Sequence, residues 1–380
     1  MKNKKAKILM ALSGGVDSAV SAALLVAAGY DVTAAYMVNY EGQNKLGESC
    51  WVPEYRDAVR VAAALNIPIL KLDFVQEYKQ NVLDYMYAEY EKGNTPNPDV
   101  LCNKFVKFGS WLQKARELGF DFLATGHYAD IKKTTKNGVD VYHLVQSKDD
   151  NKDQTYFLHQ LNQEQLKKVI FPVGKYTKPG VRKLAKKFNL PVAEKEESMG
   201  ICFIGEVPMK EFLMQKIDKK SGDIIMYDRS KNNEIKVIGQ HDGLPFYTIG
   251  QRHVGAQALQ LGGNTKPLYV VDKNFEANEL VVGFEDDPLL YKDKATIKKI
   301  NWISGENPKS PLKCWVRLRH RQPLQECTVE KANSEGEWEV MFKKKQRAIT
   351  PGQFAVFYMR PPKIWSMFKT GECLGGGAVK

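Results

Sequence analysis

No apolar run in the 380 residues is long enough to cross a bilayer as a helix. The basic start, MKNKKAK, leads directly into a short apolar strand and shows no cleavable apolar segment. A cytosolic location without a membrane partner is the expectation. Cysteine is scarce and scattered: the six are Cys50, Cys102, Cys202, Cys314, Cys327 and Cys373, and no two form a C-x-x-C pair. That argues against a zinc ribbon or a Cys-ligated cluster, and a cytosolic chain has little use for structural disulfides. Each cysteine is therefore either packing or chemistry. Two familiar phosphate loops are missing as well. No lysine follows the glycines of Ser13-Gly14-Gly15-Val16-Asp17-Ser18 as a P-loop requires, and the run does not fit G-x-G-x-x-G. Acidic residues are outnumbered, 44 against 56 Lys+Arg, and the net charge of +12 points to a polyanionic partner.

What is present begins with KILMALSGGVDSAVSAALLVAAG, Lys7 to Gly29. Ile8 to Leu12 form a short apolar run, as in a strand buried on both faces. Ser13-Gly14-Gly15 breaks it, and from Val16 the apolar residues Val20, Ala23, Leu24 and Ala27 fall at helical spacing. A glycine turn between strand and helix aims backbone N–H groups at the positive end of a helix dipole, which is a phosphate site. Ser13 and Ser18 add hydroxyls, and Asp17 is a carboxylate for a phosphate-bridging metal. The run SGGVDS resembles the pyrophosphate loop of the ATP pyrophosphatase superfamily. That resemblance implies cleavage of ATP between its α- and β-phosphates and activation of a carbonyl as the adenylate.

Strands are expected at Asp31–Val38, Pro68–Leu72 and Phe120–Ala124, alternating with helices at Tyr55–Leu65, Val75–Lys92 and Asn103–Leu118. The alternation predicts an α/β fold with a doubly wound parallel sheet, whose ligands sit at the carboxyl ends of the strands. Ser13, Met37 and Gly126 all follow strands at that edge; Met37 is expected against adenine and Gly126 beside the nucleotide. The segment GNTPNPDVLCNKFVKF, Gly93 to Phe108, is a rigid loop carrying Asp99 and Cys102. Asn103 is the expected N-cap of the helix that follows. Near that N-terminus, with Lys104 and Lys107 close by, Cys102 is expected to be partly thiolate at neutral pH. Cys202 lies in ESMGICFIG, among small and apolar residues of a loop that follows a helix at Pro179–Asn189.

SGGVDS, NPDVLCNKFVKF, ATGHY, NKDQTYFL, SMGICFIG, FYTIGQR and TPGQFAVFY occur in this order over nearly the whole chain. Together they resemble the tRNA 2-thiouridylases, which sulfurate the wobble uridine of tRNA. The resemblance implies a pyrophosphatase domain over 1–208, a central domain over 209–283 and a C-terminal β-barrel over 284–380. It implies ATP contacts at Ala11, Leu12, Ser13, Gly14, Gly15, Val16, Asp17, Ser18, Met37 and Gly126, with Mg²⁺ accompanying the ATP. It assigns Cys102 as nucleophile, Cys202 as persulfide carrier, Asp99 as the acid/base candidate, and Asn97, Pro98 and Asp99 as the target-base segment. Further tRNA contacts are implied at His127, Lys152, Asp153, Gln154, Arg319, His320 and Gln353; the family often has tyrosine where this chain has His320. A cysteine desulfurase or a sulfur-relay protein is implied as donor. The segment ESCWVPEY departs from the commonest pattern, and Cys50 receives no role.

The remainder is consistent with that organisation. A helix is expected at Met209–Lys216 and strands at Leu268–Asp272 and Glu279–Val282. Beyond residue 284, period-two alternation as in WVRLR, WEVMF and FAVFY predicts a small barrel. RLRHRQ, Arg317 to Gln322, offers that barrel a basic edge for RNA.

Overall fold

The computed structural model describes residues 5–42, 49–196, 208–228, 232–252, 254, 260–261, 264–332, 336–359 and 371–380. A five-stranded, wholly parallel sheet organises the first unit. Its order is Ile69–Asp73, Asp31–Val38, Lys7–Ala11, Phe122–Ala124, Val169–Ile170. Ile8, Leu9 and Met10 of the central strand are all 0% exposed, because helices cover both faces. Ile8 and Met10 pack with helices Val16–Ala27, Val52–Ala64 and Lys178–Lys187. Leu9 faces the other layer, with Tyr78, Met86, Val106 and Trp111. The doubly wound sheet expected from the alternation is present.

The second layer departs from regular α-helix. The helix expected from Val75 runs as Val75–Tyr78, a π-helical stretch Lys79–Leu83, and Asp84–Glu91. The next runs as Pro98–Leu101, a π-helical stretch Cys102–Ser110, and Trp111–Glu117. Asn103 is therefore not its cap. Asn97 is: its side-chain oxygen accepts the Val100 N–H at 3.2 Å, and Pro98 takes the first helical position, where its missing N–H costs nothing.

Between the fourth and fifth strands the chain makes a hairpin not expected from the alternation, Ala129–Lys136 and Val139–Gln146. Its turn is Asn137-Gly138, both at positive φ, the strongest short hairpin signal there is. The hairpin leaves its own unit and pairs Leu144 and Val145 with Cys373 and Glu372 of the last strand. That last strand, Glu372–Val379, belongs to a closed antiparallel barrel. Its order is Tyr291–Trp302, Glu337–Arg347, Gln325–Lys331, Leu312–Arg317, Phe354–Met359, Glu372–Val379, closing back on Tyr291–Trp302. Inward-pointing Ile297, Val316, Val329, Trp338, Val340 and Phe357 fill it. The chain between first unit and barrel forms a four-stranded sheet ordered Tyr269–Asn274, Glu279–Gly283, Gly222–Asp228, Glu234–His241. Helix Met209–Leu213 is shorter than expected.

Candidate active site

The turn after strand Lys7–Ala11 is built by its own hydroxyls. The Ser13 N–H donates to Ser18 Oγ at 3.2 Å, and Ser18 Oγ donates to the Gly15 carbonyl at 3.0 Å. Gly14 sits at φ +77°, and a Cβ there would lie 2.3 Å from the Glu54 carbonyl oxygen, so only glycine fits. Gly126 is required for a related reason. Its absent Cβ would stand 2.8 Å from the Ser18 nitrogen, so the glycine lets the strand end lie on the start of helix Val16–Ala27.

Asp17 is held by three bonds. Lys178 Nζ lies 2.7 and 2.9 Å from its two oxygens, and the Tyr128 hydroxyl donates to it at 2.9 Å. A second lysine, Lys195, bridges the Gly14 carbonyl at 3.3 Å and Asp57 at 2.8 Å. Two ammonium groups thus close on a loop that lacks the P-loop lysine. Neither was legible in the sequence, because Lys178 follows Asp17 by 161 residues and Lys195 follows Gly14 by 181.

A cavity of about 190 Å³ opens beside the loop. Ala11, Leu12, Ser13, Asp17, Ser18, Met37, Gly126, His127 and Gln154, all singled out from the sequence, line it together with Tyr36, Lys107, Trp111 and Thr125. Gly14, Gly15 and Val16 shape the turn without lining the space. His127, expected against RNA, is part of this cavity. Its Nδ1 lies 2.6 Å from Thr125 Oγ1, and burial, with Lys107 nearby, holds the ring well below the usual imidazole pKa, so it is neutral.

Cys102 lies inside the helix begun at Pro98 and is 0% exposed. Burial pushes its thiol up to about 12; Lys107 pulls the other way and Asp99 adds to the rise. The expectation of a partly ionised thiol is overturned for this state, because the sulfur sits past the helix start and within a core. One oxygen of Asp99 is buried without a hydrogen-bond partner among the described residues, and so is Asn103 Oδ1 on the next turn. Such acceptors are costly to leave unpaired and mark where a donor is missing. Cys202 lies outside the described residues.

In this structure several residues expected to contact RNA join the units. Asp153 is 1% exposed and accepts from Gln146, Ser147, Thr155 and, at 3.0 Å, the Arg317 guanidinium. It is an interior group here, not a surface one. One Arg319 terminal nitrogen donates to the carbonyls of Ile249 and Ala348 and to Thr350 Oγ1. His320 is half-buried, 4.5 Å from the Phe157 ring centroid, and burial with flanking cations lowers its pKa to about 4. Gln353 Nε2 donates to the Thr95 carbonyl at 2.8 Å, and Lys152 is half-buried at the turn before Asp153. Cys314 and Cys327 oppose each other across two barrel strands with sulfurs 3.6 Å apart, and Cys373 is buried. Among the described residues no three His, Cys, Asp or Glu side chains converge as a metal site.

A doubly wound sheet with a serine–glycine phosphate turn at its carboxyl edge defines a nucleotide-site α/β protein of the HUP class. Residues 6–206 match the domain family described as tRNA methyl transferase HUP domain, 210–284 its PRC-barrel domain, and 292–379 the aminomethyltransferase beta-barrel domain. The chain is 43% identical over 385 residues to a tRNA-specific 2-thiouridylase of Francisella tularensis, covering all of both chains. It is 42% identical to the Bacillus subtilis enzyme of the same name, covering 98% of this chain and 94% of that one. The chain belongs to the tRNA-specific 2-thiouridylase family, and it is a tRNA sulfurtransferase. Among solved structures, the U34-tRNA thiolase NcsA from Methanococcus maripaludis is similar at 22% identity and a TM-score of 0.33, over 49% of this chain and 57% of that one.

Proposed function

We propose that this chain converts the wobble uridine of tRNA to 2-thiouridine, consuming ATP and a persulfide sulfur. The observation that carries the reading is one cavity lined both by the SGGVDS turn and, through Lys107 and Trp111, by the helix that carries Cys102. The C2 oxygen of uracil is a poor leaving group. It attacks the α-phosphorus of ATP, pyrophosphate departs, and the C2–O bond becomes part of an adenylate. The Ser13–Ser18 turn and the positive end of helix Val16–Ala27 support the charge on the departing phosphates. Mg²⁺, when bound with ATP, would supply counter-charge to those phosphates. Asp17 is the carboxylate among the cavity's lining residues, and it is already held by Lys178, so the residues do not form a metal centre of their own.

Sulfur arrives as a persulfide on Cys202, loaded by a cysteine desulfurase or a relay protein. Either the terminal sulfur attacks C2 directly, or Cys102 first attacks Cys202 Sγ and releases hydrosulfide, which then attacks. In both routes AMP leaves with the C2–O electron pair, and the two sulfurs end as a Cys102–Cys202 disulfide. Asp99, with one oxygen unpaired and its charge felt at Cys102, is the acid/base for the proton traffic. The base must leave the anticodon stack to reach this depth.

The deciding experiment is mass spectrometry of tRNA nucleosides from cells lacking the protein, with reconstitution from purified protein, ATP and a sulfur source. Loss and restoration of 2-thiouridine, with AMP and pyrophosphate as products, is expected. ADP and phosphate as products would refute the adenylation step.

A further inference from the structure

Lys107 stands where the two halves of the site meet. It follows Cys102 by five residues within Cys102–Ser110, the π-helical stretch. On an α-helix, residues five apart point roughly 140° away from one another. The wider i→i+5 winding narrows that separation to about 50°. The local winding therefore brings Lys107 round toward the side of the helix that carries the thiol. The same side chain lines the nucleotide cavity beside Ser13, Asp17 and His127. Of the charges acting on Cys102, that of Lys107 favours the thiolate. The neighbouring Lys104 is differently engaged: its ammonium donates to Gln160 at 2.9 Å and lies over the Phe105 ring.

We propose that Lys107 is a catalytic residue of both half-reactions, meeting the phosphate of the base adenylate and holding the Cys102 thiolate with the same ammonium. The proposal rests on the adenylation and two-cysteine reading given above. The adenylate's phosphate carries one negative charge. When sulfide attacks C2 and the C2–O bond breaks, the electron pair leaves with AMP, whose phosphate then carries two. A cation already in the cavity stabilises that growing charge without reorganising. On the sulfur side, Cys102 must lose its proton before its sulfur attacks Cys202 Sγ, and the ammonium favours that loss. A π-helical turn, generally an unfavourable winding kept at functional positions, is what puts one cation within reach of both events.

The test compares Lys107→Met and Lys107→Arg, with Lys107→Gln as a second neutral variant should methionine disturb the helix. The first readout is the rate of Cys102 alkylation by iodoacetamide between pH 7 and 10, without ATP or tRNA, followed by peptide mass spectrometry. The neutral variants should react about threefold to tenfold more slowly at pH 8, with the profile displaced to higher pH, and arginine should stay within about twofold of wild type. The second readout is thionucleoside formation, where kcat should fall about tenfold or more in the neutral variants while KM for ATP changes less than about threefold. An unmoved alkylation profile, or arginine as poor as methionine in both readouts, overturns the proposal. Absence of thionucleoside with the wild-type protein would instead refute the functional reading, and the alkylation profile would still decide whether Lys107 holds the thiolate.

Discussion

His159 shows how a single buried ring couples this fold to pH. It is 0% exposed, its Nδ1 lies 2.7 Å from the Tyr156 carbonyl, and its ring centroid is 4.9 Å from that of Phe354. Burial lowers its pKa to about 4. In the unfolded chain the ring titrates at its ordinary value of about 6.5, so between those two values the unfolded state binds the extra proton. Stability contributed by the neutral ring is complete above the unfolded pKa and is lost as pH falls through the window. The full loss is on the order of 3 kcal/mol for this ring. His320 and His127 are shifted in the same direction. Thermal melts should therefore show a falling midpoint from pH 7 to pH 4.5, with a shallower fall in His159→Gln. A midpoint independent of pH over that range would contradict the burial of these rings as neutral groups.

At the scale of elements, the segment from Gly93 to Asn97 links two helices and is held by all three units. Gly93, at φ +82°, ends the first helix, and its carbonyl accepts from Lys273 Nζ of the central unit, which also reaches the Tyr247 carbonyl at 2.9 Å. The Thr95 N–H donates to the Pro351 carbonyl at 2.8 Å, and Thr95 Oγ1 lies 3.1 Å from Thr248 Oγ1. Gly352 permits this approach, since a Cβ there would lie 2.9 Å from the Thr95 nitrogen. The loop that delivers Asp99 is thus fixed from outside its own unit. Lys273→Met leaves two buried carbonyls short of a donor and should cost about 1–3 kcal/mol in urea unfolding. It should also raise amide exchange in residues 93–99. Unchanged exchange there would mean the loop holds itself. The sequence carried the local parts of this architecture. Strand Asp31–Val38 matched to the residue, and the Ser13–Ser18 turn declared itself, because apolar runs and glycines act over a few residues. It also offered signals left unused: Pro98 after Asn97 marks the true helix start, and Asn137-Gly138 marks the hairpin. It could not show the π winding, since periodicity arguments assume 3.6 residues per turn. Nor could it show the depth of Cys102, which depends on packing between distant elements.

At the scale of the whole molecule, net charge and the barrel's basic edge raise the matter of where tRNA lies. Two arginines four residues apart answer differently. Arg317 is 8% exposed and bonded to buried Asp153, with its guanidinium 5.4 Å from the Tyr358 ring centroid. Removing one partner of a buried ion pair strands the other, at a cost of about 3–5 kcal/mol. Arg317→Ala should therefore lower the melting midpoint by several degrees, and any lost tRNA binding would follow from loosened units. Arg319 is compromised as a probe in the same way, because it ties Ile249 to Ala348. Arg321 is exposed, in the turn beyond strand Leu312–Arg317. Counter-ion release makes affinity fall on the order of tenfold or more between 50 and 200 mM salt when a handful of phosphates are neutralised. Arg321→Ala should reduce the slope of log Kd against log salt by about 1 while leaving the melting midpoint in place. The measurement is a salt titration of tRNA binding by wild type and variant, with melts run in parallel. A slope that is flat in the wild type, or equal in the two proteins, would take this edge of the barrel off the tRNA path and leave the charge of +12 to act elsewhere on the surface.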